Sequence, residues 1–267
     1  GGSGWDRDLP APRNVAVLKR LLAAPTTVVT RAATEANRAN LAESFLAEVR
    51  ARYAGTRLGR QELDGVLLED AEGALWTSAA LAGLQIDAAP ELDRIVVAVD
   101  PPATGHASSD ACGIVVAGAS TPGEVADWRA VVLEDASVEA AGPSAWAEAA
   151  VAAMERWGAD RLVAEVNQGG AMVEAVIRQV DPLVPIRTVH ATRGKIARAE
   201  PVAALYEQGR VRHLRGLAAL EDQMCRMTAR GYEGPGSPDR VDALVWALHE
   251  LMILPAARWR RPRMREL

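Results

Sequence analysis

After Asp93 the 267-residue chain settles into a fixed order of short β-branched runs and amphipathic helical runs, and that order limits what it can fold into. Residues 94–99 (RIVVAV) have the composition of a buried strand. Pro101 and Pro102 stop it just past Asp100, because proline cannot donate to a ladder. Residues 112–118 (CGIVVAG) read as a second strand, after a turn-rich loop at 105–110, and residues 128–133 as a third. Connections this short predict an antiparallel meander. The pattern then alternates: helix 143–157 with Pro143 in its first turn, strand 161–166 with Glu165 near its end, and helix 171–180. Strand 185–190, helix 195–208, strand 211–214 and helix 217–226 follow. A long helix over 238–254 closes the series, with Ser237 or Asp239 near its N-terminus as the cap. A meander followed by strand–helix alternation predicts an α/β fold, a mixed sheet flanked by helices.

The rest of the chain is less regular. Residues 1–8 begin Gly-Gly-Ser-Gly and read as a cloning scar without structure. Residues 9–86 look mainly helical, with helices expected at 12–24 and 37–53 and a strand at 27–30. Leu41, Phe45, Leu46 and Val49 recur at helical spacing in the second helix. No catalytic grouping occurs there, so the segment is expected to be a lid, a linker or the remnant of a neighbouring domain. Residues 87–255 form the main domain, and 256–267 a basic tail with five arginines in the run RWRRPRMR.

Composition narrows the function classes. Hydrophobic residues make up 49% and charged residues 24%, enough apolar material for a sizeable core. No run of 18 apolar residues occurs, so no membrane span is expected, and no secretory signal is visible. Cys112 and Cys225 have no CxxC partners, which argues against a disulfide framework or a cysteine zinc site and fits a cytoplasmic setting. The net charge of −5 does not advertise a nucleic-acid binder, but clustering of basic residues matters more than the sum. Lys19 and Lys195 are the only lysines. The arginine excess fits a GC-rich coding bias, and arginine also forks onto phosphate.

Three acids stand out by placement. Asp100 ends the first strand, Glu165 lies near the end of the fourth, and Asp242 sits one turn into the closing helix. Sites in α/β sheets gather at the carboxyl ends of strands. A lone Asp at a strand end is ordinarily a turn former, and Asp242 alone is a first-turn acid favoured by the helix dipole. Glu165, inside the apolar run LVAEV, is harder to dismiss, since an unpaired buried carboxylate is costly. Clustered carboxylates repel one another unless a hard divalent cation neutralises them. Oxygen ligands select Mg²⁺ or Mn²⁺ over zinc. Two such ions about 4 Å apart hydrolyse phosphodiesters.

These residues carry a family resemblance. The stretches VAVDPPATGHASSDACGIVVAG, LVAEVNQGGAMVEAVI and GSPDRVDALVWALHEL resemble the three catalytic motifs of the nuclease domain of terminase large subunits, which package viral or gene-transfer-agent DNA. RGKIARAEPVAALYEQGRVRHL and the upstream TRLGRQELDGVLLEDAEGALW also look like the family, so the resemblance spans most of residues 25–254. It implies a ribonuclease H-like fold and an endonuclease that cuts double-stranded DNA during genome packaging. It places two Mg²⁺ or Mn²⁺ ions on Asp100, Glu165 and Asp242, with Asp239 and Asp110 as auxiliary acids. Asp239 is equally suited to capping the last helix, and Asp110 to a loop turn. The implied partners are double-stranded DNA, the portal protein and the small terminase subunit. The implied place is the bacterial host cytoplasm and, transiently, the procapsid portal. Members of the family also carry an ATPase motor, whereas no G-x-x-x-x-G-K-S/T loop occurs here, so no ATPase activity is expected of this chain.

Arg193, Lys195 and Arg198 form a basic cluster at a helix start, suited to a DNA backbone or to a solvated face. Asn167, Gln168 and Gly169 follow Glu165 closely; with Gly170 they make a tight strand-to-helix turn or a close approach to substrate. His106, His190, His213 and His249 are scattered and give no metal motif, although His106 follows Asp100 in the loop. Trp246 fits the buried face of the last helix. Two alternatives stand beside the nuclease: a non-catalytic module docking a packaging motor onto portal or small subunit through the arginine tail, and another enzyme of the same fold, such as a junction resolvase or transposase.

Overall fold

The computed structural model describes residues 70–102, 111–139, 142–167 and 170–259. The expected elements before residue 70, Asp110, His106, Gln168, Gly169 and residues 260–267 of the basic tail lie outside the described residues.

The described residues build a seven-stranded mixed sheet. Its strands are β1 (Gln85–Ile86), β2 (Arg94–Asp100), β3 (Gly113–Ser120), β4 (Arg129–Asp135), β5 (Arg161–Glu165), β6 (Ile186–Val189) and β7 (Val211–Leu214). Across the sheet they run β1-β7-β4-β3-β2-β5-β6. β2, β3 and β4 are the antiparallel meander that short connections dictate. β5 adds parallel to β2, β6 to β5, and β7 to β4. A small hairpin, β8 (Met227–Thr228) with β9 (Gly231–Tyr232), stands apart from the sheet.

Side chains alternate between the faces of a strand, and this divides the core in two. Val97, Val99, Leu162 and Ala164 point to one layer. There they meet residues of α2 (Pro143–Trp157) and α3 (Gly170–Val180), such as Trp146, Ala150, Val173 and Ile177. Val96, Ala98 and Val163 point to the other, where they meet Val202, Leu220, Leu244 and Leu248 from α4 (Lys195–Glu207), α5 (Ala218–Met224) and α6 (Asp239–Leu248). α2 begins with Pro143 at N1/N2 and ends on Gly158 at φ 57°, the left-handed cap that glycine adopts without steric cost.

Residues 70–86 join the second layer. Trp76 and Leu81, the latter in the short helix α1 (Ser78–Ala82), are buried in it, and β1 adds a strand beside β7. Two readings of the closing helix are corrected. The helix does not run uniformly over 238–254: α6 passes into a π-helical turn at His249–Ile253 and then α7 (Leu254–Trp259). Neither Ser237 nor Asp239 caps it. Pro238 holds the cap position without a side-chain bond, and Gln223 from α5 serves instead, its Oε1 accepting from the amides of Arg240 (3.1 Å) and Val241 (3.4 Å). A remote side chain thus satisfies first-turn donors that local sequence leaves open. Among the described residues, no helix is long and apolar enough to cross a membrane.

Candidate active site

Register brings the three acids to one end and one face of the sheet. Val99 of β2 is paired with Ala164 of β5, so Asp100 and Glu165 follow as neighbours at the carboxyl ends of parallel strands. Both continue the alternation of Val96, Ala98 and Val163, so both face the α6 layer. α6 lies across that face, and its first turn carries Asp239 and Asp242, three residues apart and therefore on one side of the helix. Asp239 and Asp242 are buried, at 7% and 2% exposure.

The basic residues of α4 complete the arrangement. Lys195 and Arg198, also three apart, turn inward from its first turns. Lys195 Nζ donates to Asp242 Oδ2 at 2.5 Å and to Ser237 Oγ at 3.2 Å. Arg198, 6% exposed, donates through Nη1 to Glu165 Oε2 at 3.1 Å and through Nη2 to Asp242 Oδ1 at 3.3 Å. One planar guanidinium therefore spans both carboxylates. Trp246 of α6 donates its indole N–H to Glu165 Oε2, and its ring lies under the Arg198 guanidinium, 4.7 Å from centroid to Cζ. Asn167 donates to Glu165 Oε1 at 2.5 Å and accepts from the Ala191 amide at 2.7 Å. A cleft of about 340 Å³ opens onto this group, lined in part by Asp100, Glu165, Arg193, Lys195, Arg198 and Asp239.

Charge is unevenly compensated. Among the described residues, no hydrogen bond or ion pair reaches the Asp100 carboxylate. Desolvation, followed by the charges of Asp242 and Glu165, pushes its pKa well above the ordinary carboxylate range, against a smaller opposing effect of Lys195. Asp242 is also raised, by burial, although Lys195 and Arg198 pull the other way. Burial lowers the Lys195 ammonium, but Asp242, Asp100 and Asp239 together outweigh it and hold the group above its usual value. The Cys112 thiol is raised by burial and by Asp100 and Asp239 beside it. Among the described residues no three His, Cys, Asp or Glu side chains are gathered closely enough to hold a metal ion as they stand. The Lys195 ammonium bonds Asp242, and the Arg198 guanidinium bonds Glu165 and Asp242.

A family model for the terminase RNaseH-like domain matches residues 97–251, which include all four acids and both basic residues. The chain belongs to this family. The seven-stranded mixed sheet with helices on both faces is the ribonuclease H-like fold of the terminase domain. No curated protein matches the sequence. Among solved structures, the large terminase nuclease from thermophilic phage G20c is 16% identical, with 59% of this chain and 82% of that one covered and a TM-score of 0.44. The human cytomegalovirus terminase nuclease domain, manganese-soaked with an inhibitor bound, is 14% identical over 69% of this chain and 98% of that one, at TM-score 0.48. The HK97 bacteriophage large terminase is 11% identical over 79% of this chain and 51% of that one, at 0.47.

Within the terminase domain, the residues expected to touch DNA divide into two groups. Arg193 is exposed and Lys195 is 46% exposed, both at the rim of the cleft. Arg198 and Asn167 are instead engaged inside it: Arg198 is buried between two acids, and both ends of the Asn167 amide are bonded. Among the histidines, His213 is fully buried between the Tyr206 hydroxyl and Glu221, and His249 bonds the Arg198 carbonyl at 2.9 Å. Neither faces the cleft. Sequence reasoning missed the Gln223 cap and the pairing of Lys195 and Arg198 with the acids. Only the helical spacing of Lys195 and Arg198 offered a signal.

Proposed function

We propose that this terminase RNaseH-like domain is a metal-dependent endodeoxyribonuclease that cleaves double-stranded DNA during packaging, with Asp100, Glu165 and Asp242 as its cation ligands. The observation that carries the reading is the Asp100 carboxylate: desolvated, pressed by two neighbouring acids, and reached by no donor among the described residues. A carboxyl in that position either keeps its proton or is ionised against an external cation, and a divalent cation would favour the ionised form. The donors are all hard carboxylate oxygens, which fits Mg²⁺ or Mn²⁺. Two ions held by Asp100, Glu165 and Asp242, with Asp239 beside them, would supply a polarised water and neutralise the leaving oxygen.

The chain's own side chains do the remaining work. Lys195 and Arg198 pair with Asp242 and Glu165 and hold the two carboxylates in place. Lys195, nearly half exposed, reaches the cleft opening and holds a backbone phosphate there together with Arg193. Arg198 remains stacked on Trp246 and orients Glu165, while Asn167 ties the same carboxylate to the Ala191 amide. Asp110, Gln168 and Gly169 belong to the same proposal as an auxiliary acid and two DNA contacts.

Linearisation of supercoiled plasmid in Mn²⁺ tests the reading. The wild type cuts, and Asp100→Ala, Glu165→Ala and Asp242→Ala each lose at least about a hundredfold in rate, roughly 2.7 kcal/mol of transition-state stabilisation. Asp100→Ala cutting as fast as the wild type would refute it. Portal and small-subunit contacts, and action at the procapsid in the host cytoplasm, are the packaging setting in which this activity is placed.

A further inference from the structure

The first turn of α6 rests on β3 at a point where β3 has no side chain. Gly113 is the residue paired with Asp100 across the antiparallel ladder. A Cβ on Gly113 would lie 2.0 Å from the Asp239 carbonyl oxygen, 2.4 Å from its carbonyl carbon and 3.0 Å from the Arg240 nitrogen. All three are backbone atoms of the turn that bears Asp239 and Asp242, so no rotamer change relieves the overlap. The turn is also tied from the other side. Gln223 caps it, and Arg240 reaches back to Asp135 of β4 at 3.0 Å.

We infer that Gly113 and Gln223 are positioning residues: by letting the first turn of α6 seat directly on β3, they set the separation between Asp100 and the acids of α6, and hence the affinity of the site for divalent cations. This rests on the proposed metal-dependent cleavage. Neither residue touches the cation. Gly113 acts by absence, since any side chain there lifts Asp239 and Asp242 away from Asp100. Gln223 acts by holding the amides that would otherwise let the turn rise. Gly118, in the same strand, marks the contrast. A Cβ there meets the Leu92 side-chain tip at 2.5 Å and the Arg94 carbonyl oxygen and Ile95 side chain at 3.2 Å, none of them in α6, and Gly118 is paired with Ile95 at the opposite end of β2.

The test is Mn²⁺ binding by calorimetry and by loss of the free-Mn²⁺ spin-resonance signal, with melting followed in parallel in EDTA. Gly113→Ala is expected to weaken Mn²⁺ binding by about tenfold or more, the scale on which residues that orient metal ligands act. Gly118→Ala should leave binding within about twofold, because its overlaps lie at the far end of β2 from the acids. If Gly113→Ala does not fold, Gln223→Ala decides, since it loosens the same turn without adding volume. Weaker Mn²⁺ binding in Gln223→Ala supports the inference. Wild-type Mn²⁺ affinity in a folded Gly113→Ala, or in Gln223→Ala when Gly113→Ala does not fold, overturns it. A wild-type protein that binds no Mn²⁺ at all would instead sink the proposed function on which the inference stands.

Discussion

Asp100 bears the largest electrostatic burden in the site, and its removal should be visible before any metal is added. Its pKa is raised in the folded protein by desolvation and by Asp242 and Glu165. The folded state therefore holds this proton at pH values where the unfolded chain has released it, and stability falls as pH rises from the ordinary carboxylate range through the raised value. Asp100→Asn removes that loss. In EDTA at neutral pH it should melt above the wild type, by about 2–4 °C for each kcal/mol of repulsion relieved, and its melting temperature should depend less on pH. A lower melting temperature at neutral pH would contradict the reading. Lys195 carries a second prediction at this scale: Lys195→Ala should weaken duplex DNA binding at all sequences and lower the salt slope of the affinity by roughly one. An unchanged slope would remove Lys195 from the DNA face. The convergence of the three acids at one end of the sheet was legible because each sits at a landmark of its element, a strand end or a first helical turn. Arg198 was not, since nothing local distinguishes an arginine that reaches outward from one folded back onto two carboxylates. The contacts that decide it lie 33 and 44 residues away.

Between residues 94 and 248 the described strands and helices largely follow from period and punctuation. The run 94–99 becomes β2, and the prolines after Asp100 end it. The helix expected over 143–157 is α2 over the same residues. The closing helix departs from its pattern at both ends, and the departure at its start comes from a long-range partner. At its start the expected local cap gives way to Gln223. Arg240 in the same turn pairs with Asp135, at 12% and 9% exposure. Arg240→Ala would strand a nearly buried carboxylate, so a loss of about 3–5 kcal/mol is expected in denaturant unfolding, and less than about 1 kcal/mol would show that the pair contributes little. At its far end the helix widens into the π turn at His249–Ile253. Such turns are not readable from hydrophobic spacing, because one changed hydrogen-bond step leaves the apolar pattern almost intact.

Across the whole molecule, α6 and the π turn join two ends of the sheet. One end holds the acids. At the other, Glu250, 2% exposed, accepts from Arg94 of β2 at 2.7 Å, Arg161 of β5 at 3.2 Å and Arg187 of β6 at 2.5 Å. Three adjacent strands and the closing helix are thereby fixed to one carboxylate. The arginines are about a third exposed, so solvent screens part of the gain, and Glu250→Ala is expected to lose about 2 kcal/mol rather than the full cost of a buried pair. Mn²⁺-dependent cleavage per folded molecule should be unchanged; a selective loss of cleavage would mean that the far end controls the site. The order of elements made this architecture readable, whereas a contact joining residues 94 and 250 leaves no trace in any local window. The central claim, that these distant acids form a cation site, is met most directly by diffraction from crystals soaked in Mn²⁺, recorded at a wavelength where manganese scatters anomalously. The strongest peaks are expected between Asp100, Glu165 and Asp242, at roughly 2.0–2.5 Å from their oxygens, with Lys195 withdrawn from Asp242. Saturating Mn²⁺ that leaves Lys195 and Arg198 on the acids, with no anomalous peak between them, would contradict it.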